Sequence, residues 1–113
     1  MRQPIQVECI VFRMTADGHE FLLLHRIASR GGFWQAVTGG VELGESLRDA
    51  ALRELEEEAG IPAHEIVSII EQVYSFDFED NWIDGTRKTL HEEVFGIEVG
   101  ATTAVRLDVN IYP

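Results

Sequence analysis

Cysteine, long apolar runs and positive charge are all scarce in this chain. It has one cysteine, which cannot form an internal disulfide, so a reducing cytoplasm is the predicted compartment. That residue, Cys9, lies within an apolar run and is predicted to be a buried strand thiol. No apolar run is long enough to cross a bilayer. Residues 1–4 lack the apolar core and cleavage site of a signal peptide.

Lysine and arginine are heavily outnumbered by acidic residues. There are 9 Lys and Arg against 20 Asp and Glu, and the formal net charge is −11. Such a surface does not favour nucleic-acid phosphates or an anionic membrane. A phosphorylated small molecule remains compatible, because carboxylates can hold a divalent metal that in turn holds phosphate. We therefore expect a small-molecule partner and neither nucleic acid nor membrane.

The length and the pattern of the chain predict one α+β domain over residues 1–113. The hydrophobic fraction is 45%, which is ordinary for a globular protein with a single core. Strands are predicted over residues 5–14, 20–25, 34–37, 66–78, 92–99 and 106–109. The second of these is continuously apolar and is expected to be buried on both faces. Tight turns are predicted at Asp17–Gly18 and Gly39–Gly40.

The clearest helix is predicted over residues 47–59. Ser46 is the expected N-cap, with Asp49 as an acidic partner in the first turn. Gly60 is a C-cap signal, and Pro62 prevents continuation of the helix.

Glutamates concentrate on this helix. On a helical wheel Glu54, Glu57 and Glu58 share an arc of about 100°, whereas Glu56 falls outside it. Most such runs are solvated faces. Here the convergence of three carboxylates, together with backbone carbonyls at the Gly39–Gly40 pair, favours a site for a hard divalent cation such as Mg²⁺.

The stretch from Gly39 to Ile61 resembles the Nudix box, the signature of the Nudix hydrolases. The pattern requires Gly, five residues, Glu, seven residues, Arg-Glu, an aliphatic residue, any residue, Glu-Glu, any residue, Gly and an aliphatic residue. Its specified positions are all present, as Gly39, Glu45, Arg53, Glu54, Leu55, Glu57, Glu58, Gly60 and Ile61. The resemblance implies the α/β/α sandwich of that family, with a mixed sheet.

The resemblance also implies roles for individual residues. Glu54, Glu57 and Glu58 would bind Mg²⁺ or Mn²⁺, and Glu54, Arg53 and Glu57 would form the catalytic set. Glu54 would help to activate water, and Arg53 would orient a box carboxylate through a bidentate pair. The reaction would be attack of water on a nucleoside diphosphate linked to another group.

Other box positions would shape the loop and helix around these carboxylates. Glu45 would fix the loop–helix junction or join the outer metal shell. A main-chain carbonyl at Thr38 or Gly39 would be a further ligand. Gly39 opens the motif, and Gly60 precedes its last position, Ile61.

The flanks of the box resemble those of bacterial dATP and dihydroneopterin triphosphate pyrophosphatases. The likeness lies in residues 33–42 and 85–87, and it implies that Arg26, Thr38 and Trp34 contact the substrate. For Trp34 a core or rim position is an equal alternative. Arg26 would otherwise be a surface charge.

The chain is shorter at its C-terminus than the resemblance implies, since family members commonly continue into a last strand and a second helix. Without that helix, Phe95, Ile97 and Leu107 would be partly uncovered. We therefore expect a homodimer through that face, or lower stability and activity. Glu92, Glu93 or Glu98 could replace a missing metal ligand.

Three classes of function remain open. The first is a nucleoside or pterin triphosphate pyrophosphohydrolase, with hydrolysis of ADP-ribose or dinucleoside polyphosphates as the alternative among enzymes. The second is a non-catalytic nucleotide-binding module, although degenerate family members usually lose box glutamates. The third is an acidic interaction domain, which would make the box spacing a coincidence.

Overall fold

The computed structural model describes residues 2–25 and 32–106. These ranges contain seven strands, β1 (Arg2–Thr15), β2 (Gly18–Phe21), β3 (Leu24–His25), β4 (Trp34–Gln35), β5 (Val37–Glu42), β6 (Ile66–Asn81) and β7 (Arg87–Val99). The helix α1 is Leu47–Ala59, and a 3-10 turn follows at Ala63–Glu65. Within the described ranges, no helix is both long and apolar enough to span a bilayer.

Strand β1 is the centre of a mixed sheet. It runs parallel to β7 and antiparallel to β5 and β2, and β6 adds antiparallel to the outer side of β7. The short strands β3 and β4 pair separately. This arrangement confirms the α+β prediction. Over the residues that can be described, α1 is the one α-helix, so one helical layer of the expected sandwich is seen.

The core lies between β1 and α1. Val7, Cys9 and Val11 alternate along one face of the strand and are almost completely buried. Leu55 and Ala51 belong to the same apolar cluster. The Cys9 thiol lies 3.7 Å from the Ala51 carbonyl oxygen, and burial raises its pKa to about 12. The predicted buried strand thiol is therefore confirmed.

Both ends of α1 match the sequence prediction. The Ser46 hydroxyl accepts a hydrogen bond from the Asp49 backbone N–H at 3.0 Å. At the other end Gly60 adopts φ 66°, a left-handed conformation that favours glycine, and its N–H bonds the Glu56 carbonyl. These caps fix the residues at which the helix begins and ends.

The prediction for residues 20–25 is wrong in two respects. The segment is divided between β2 and β3 and is not one strand. It is not buried on both faces either, since Phe21 is 62% exposed and Leu23 is 55% exposed. Strand β2 covers only the end of β1 as one arm of a hairpin, and its side chains His19, Glu20 and Phe21 are all exposed.

The predicted turn at Gly39–Gly40 is also wrong, because both residues lie within β5 and pair with β1. The expected turn at Asp17–Gly18 does form, and Gly18 has φ 116°.

The C-terminal part of the described chain corrects a further expectation. Phe95 and Ile97 are not uncovered, because they point towards α1 and are buried in the core. Exposed apolar side chains lie instead on β6, including Val67, Ile70 and Tyr74. Arg106 is not in a strand. Leu107 and the remainder of the predicted strand 106–109 fall outside the described residues.

Candidate functional site

A cleft of about 330 Å³ lies where α1 passes β5. It is lined by the three helix carboxylates Glu54, Glu57 and Glu58, by four β5 residues and by two β1 residues. The structure thus brings together the glutamates that the helical wheel grouped. A larger cleft of about 480 Å³, next to Ile61, contains none of them. Chemistry rather than volume makes the carboxylate cleft the candidate site.

Arg53 is the centre of the hydrogen-bonding network beside this cleft. Its Nε and Nη2 donate to the two Glu45 carboxylate oxygens at 2.7 and 2.9 Å, which is a bidentate pair. Its Nη1 donates to Glu54 at 2.7 Å and to Glu57 at 3.3 Å, and Nη2 also donates to the Gly40 carbonyl at 2.8 Å. All three guanidinium nitrogens are therefore engaged in joining the loop, the helix and β5.

The glycine pair in β5 allows close approach from both faces of the strand. A Cβ on Gly39 would lie 1.9 Å from the Glu54 carboxyl carbon. A Cβ on Gly40 would lie 2.3 Å from Arg2 Nε. Because successive strand residues face opposite ways, Glu54 approaches β5 from one side and Arg2 from the other. The glycines are needed for space and not for a turn.

The three helix carboxylates differ in their surroundings. Glu54 and Glu58 are each only 7% exposed, and the Glu57 side chain is 42% exposed. Glu58 accepts a hydrogen bond from the Thr38 backbone N–H at 3.2 Å.

The pKa of Glu54 is raised by burial, and this effect is opposed by its hydrogen bond and charge interaction with Arg53. Arg53 lowers the pKa of Glu45 through their hydrogen bonds. Arg53 therefore stabilises the ionised state of both carboxylates, and burial counteracts it at Glu54.

The carboxylates that line the cleft suit a divalent cation in their chemistry, although their oxygens are not arranged around a common point. In residues 2–25 and 32–106, no three His, Cys, Asp or Glu side chains are arranged to hold a metal ion. Glu57 points towards Arg53, and Glu58 is held by the Thr38 backbone. Two nearly buried carboxylates in one oxygen-lined cleft are nevertheless the chemistry that Mg²⁺ prefers.

The other predicted substrate contacts are dispersed. Thr38 lines the cleft. Trp34 is 65% exposed, its ring centroid lies 4.6 Å from that of His25, and it does not line the carboxylate cleft. Its contact with substrate stays a prediction. Arg26 lies outside the described residues, so its role stays a prediction.

Arg2 and Gln6 line the cleft but were missed in the sequence. Their signal is the period of β1, which places both on one face, but only the pairing with Glu42 and Gly40 brings them to the site.

A second acidic pair was also missed. Glu8 and Glu92 lie on neighbouring parallel strands, and Gln6 donates a hydrogen bond to Glu92. Burial, followed by the hydrogen bond and repulsion from Glu92, raises the pKa of Glu8 to about 7. No sequence motif marks this pair, because it depends on the register of strands far apart in the chain.

Comparison with known proteins agrees with the box and the fold. The NUDIX domain family model matches residues 4–107. The chain therefore belongs to the Nudix family. Over 40 residues it is 60% identical to an octanoyltransferase of Myxococcus xanthus, a match covering 35% of this chain and 11% of that protein.

Two further similarities extend over more of the chain. It is 34% identical over 73 residues to the NAD-capped RNA hydrolase NudC of Photorhabdus laumondii, covering 65% of this chain and 28% of that protein. The structure of the E. coli dihydroneopterin triphosphate pyrophosphohydrolase superposes with a TM-score of 0.76 at 24% identity, covering 95% of this chain and 75% of that one. The chain thus has the Nudix fold, although it spans less than a third of these two curated relatives.

Proposed function

We propose that this chain is a divalent-metal-dependent hydrolase of a nucleoside diphosphate linked to another group. The observation that carries this proposal is the complete box, in which the three glutamates predicted to bind metal, Glu54, Glu57 and Glu58, line one cleft. Degenerate members would be expected to lose such carboxylates. Buried carboxylates destabilise a protein unless their charge is compensated, and a bound cation would provide that compensation in this cleft.

Glu54, Glu57 and Glu58 would hold Mg²⁺ or Mn²⁺. A bound divalent cation supplies charge that stabilises developing negative charge on phosphoryl oxygens. Arg53 acts as a positioning residue, since its contacts hold Glu45 and Glu54 against β5. The oxygen of a water molecule forms a new bond to phosphorus while the bridging P–O bond breaks. Glu54 accepts the water proton and later returns it to solvent.

We further propose a nucleoside or pterin triphosphate as substrate, with release of pyrophosphate and a monophosphate. The support is the likeness of residues 33–42 to bacterial triphosphate pyrophosphatases and the fold shared with the E. coli dihydroneopterin triphosphate enzyme. The match to an NAD-capped RNA hydrolase makes dinucleotide cleavage the main competitor. Products distinguish the two, because dinucleotide cleavage yields two monophosphates and no pyrophosphate.

The test is a panel of nucleotide and pterin triphosphates, ADP-ribose, NAD and dinucleoside polyphosphates with Mg²⁺, with products resolved by chromatography. Glu57→Gln and Glu58→Gln should each reduce turnover by at least about a hundredfold, because a misplaced cation stabilises less charge. Glu56→Gln is the matched control, since Glu56 is on the same helix but is exposed and outside the cleft. It should retain activity within about twofold.

Metal binding can be measured separately from turnover. Millimolar Mg²⁺ or Mn²⁺ should raise the melting temperature, because a ligand of the folded state stabilises it. Glu54→Gln should weaken this shift. Normal turnover in a folded Glu57 or Glu58 variant would refute the metal assignment, and absence of hydrolysis across the panel would refute the enzymatic proposal.

A further inference from the structure

Arg2 brings positive charge into an otherwise acidic cleft. Arg2 is the first residue of β1 and pairs with Glu42 of β5. It lines the cleft together with Glu54, Glu57 and Glu58. Among the described lining residues it is the one cation. A substrate phosphate entering this cleft would meet repulsion from the carboxylates unless cations compensate it.

The surroundings of Arg2 hold its guanidinium in place without using most of its donors. Its Cζ lies 5.3 Å from the centroid of the Trp82 ring, which is a cation–π contact. The backbone of Trp82 is itself fixed by turn hydrogen bonds to Thr86 and Gly85. On the other side, Gly40 leaves room for the Arg2 side chain to pass. Such packing pre-organises the guanidinium at low entropic cost.

The hydrogen bonds of Arg2 are few. Within the described parts of the chain, Nη2 makes one long hydrogen bond of 3.3 Å to Gln6, and the buried Nε has no partner. Arg53 is the opposite case, since all three of its guanidinium nitrogens are engaged by box residues. Of these two guanidinium groups beside the cleft, Arg2 is therefore the one with donors left for a ligand.

We propose that Arg2 binds a phosphate group of the substrate through its Nη atoms, and that Trp82 and Gly40 position it for this contact. This inference rests on the proposed function, since it assumes a diphosphate in the cleft. Arg2 would act on substrate binding, because guanidinium and phosphate match geometrically and in charge. The carboxylates on the other face of β5 would hold the cation.

The Arg2 contact can be tested by isothermal titration calorimetry of the full chain in the presence of Mg²⁺. The probe is methylenediphosphonate, a diphosphate analogue that is not hydrolysed. Arg2→Gln should weaken binding by about tenfold or more, since a charged hydrogen bond of ordinary strength is lost. The affinity of Arg2→Lys for the probe should lie between those of the parent chain and Arg2→Gln, because lysine keeps the positive charge but lacks the planar guanidinium group. Lys88→Gln is the matched control: Lys88 Nζ lies 5.2 Å from the same indole centroid, but the residue does not line the cleft.

The control separates a specific contact from a general effect of charge. Lys88→Gln should bind within about twofold of the parent, because an exposed charge is largely screened. Equal losses in Arg2→Gln and Lys88→Gln, or unchanged binding in Arg2→Gln with its melting temperature preserved, would overturn the inference.

The binding assay also separates this inference from the proposed function. If the parent chain binds the probe and only Arg2→Gln weakens binding, the Arg2 contact stands even where no substrate of the panel is hydrolysed. If the parent chain hydrolyses nucleotides and Arg2→Gln binds the probe normally, the enzymatic proposal stands and the Arg2 contact fails. A parent chain that does not bind the probe would overturn the Arg2 contact, and one that also hydrolyses no member of the panel would refute both.

Discussion

The two acidic groups of this molecule lie on opposite faces of the sheet and have opposite electrostatic surroundings. On the α1 face, Glu45 and Glu54 share the Arg53 guanidinium. On the other face, Glu8 and Glu92 contact each other, and a neutral side chain, Gln6, is the donor to Glu92. Arg53 lowers the pKa of Glu45, whereas the pKa of Glu8 rises to about 7.

The difference shows that burial and the supply of cations together set the pKa values of these glutamates, since burial is the largest influence at both Glu8 and Glu54 and only Glu54 has a cation opposing it. Glu54 demonstrates both influences, because burial raises its pKa while Arg53 opposes that rise. A carboxylate binds a metal ion in its ionised form, and Arg53 favours that form of Glu54. At Glu8, by contrast, burial, the hydrogen bond with Glu92 and repulsion from Glu92 all raise the pKa.

Removing Arg53 should produce the largest effect. Arg53→Ala leaves Glu45 and Glu54 without their cation, which makes the first acidic group resemble the second. We expect a loss of about 2–3 kcal/mol of stability, less than for a fully buried pair because Arg53 is partly exposed. Activity should fall by at least about a hundredfold as the carboxylates move.

Thermal unfolding and steady-state kinetics would measure both losses. Arg48→Ala is the control, because Arg48 lies on the same helix and, among the described residues, its one ion pair is a 3.8 Å contact with exposed Glu71. A stability of Arg53→Ala equal to that of Arg48→Ala would show that the network adds nothing.

A smaller and more selective effect is expected from Gly39→Ala. The new Cβ would occupy the position of the Glu54 carboxyl carbon, so the end of that flexible side chain must move. Activity and Mg²⁺-induced stabilisation should fall strongly, by about a hundredfold for turnover. Stability should fall by no more than about 2 kcal/mol, the usual cost of one added methyl group.

Gly96→Ala provides the comparison on the other face of the sheet. Its Cβ would meet Ile70 and Val73 at 3.5 and 3.6 Å, which is ordinary contact. Kinetics and metal titration of the two variants should therefore diverge. If Gly39→Ala kept full turnover, the close approach of Glu54 to β5 would not matter to catalysis.

Features that depend on local spacing could be predicted from the sequence, whereas those that depend on packing between distant segments could not. The helix, its caps and the grouping of three glutamates depend on local rules of spacing, and the structure agrees with them. The Gly39–Gly40 pair was misassigned as a turn because glycine has two uses, and only packing against Glu54 and Arg2 distinguishes them.

Residues that meet through strand pairing could not be found in the same way. Arg2 reaches the cleft because β1 pairs with β5, and Glu8 meets Glu92 because β1 pairs with β7. Neither pairing leaves a local signal. Long-range register is set by the whole core, as the burial of Phe95 and Ile97 also shows.

The smallest expected effect tests the second acidic group through pH. The folded-state pKa of Glu8, about 7, lies above its ordinary value of 4.5, so the folded state holds its proton more tightly. Stability should therefore fall as pH rises from 4.5 to 7, and the full penalty should persist above 7.

Glu8→Gln removes the ionisable group and should gain about 1 kcal/mol at pH 8, a figure reduced for solvent screening of a half-exposed side chain. The melting temperature should rise by about 3–6 °C at pH 8 and change little at pH 5. Glu56→Gln, which removes one exposed carboxylate from α1, is the control variant measured at both pH values. Parallel pH profiles for the parent chain and Glu8→Gln would show that folding does not raise the pKa of Glu8, and the contrast between the two acidic groups would then rest on Arg53 alone.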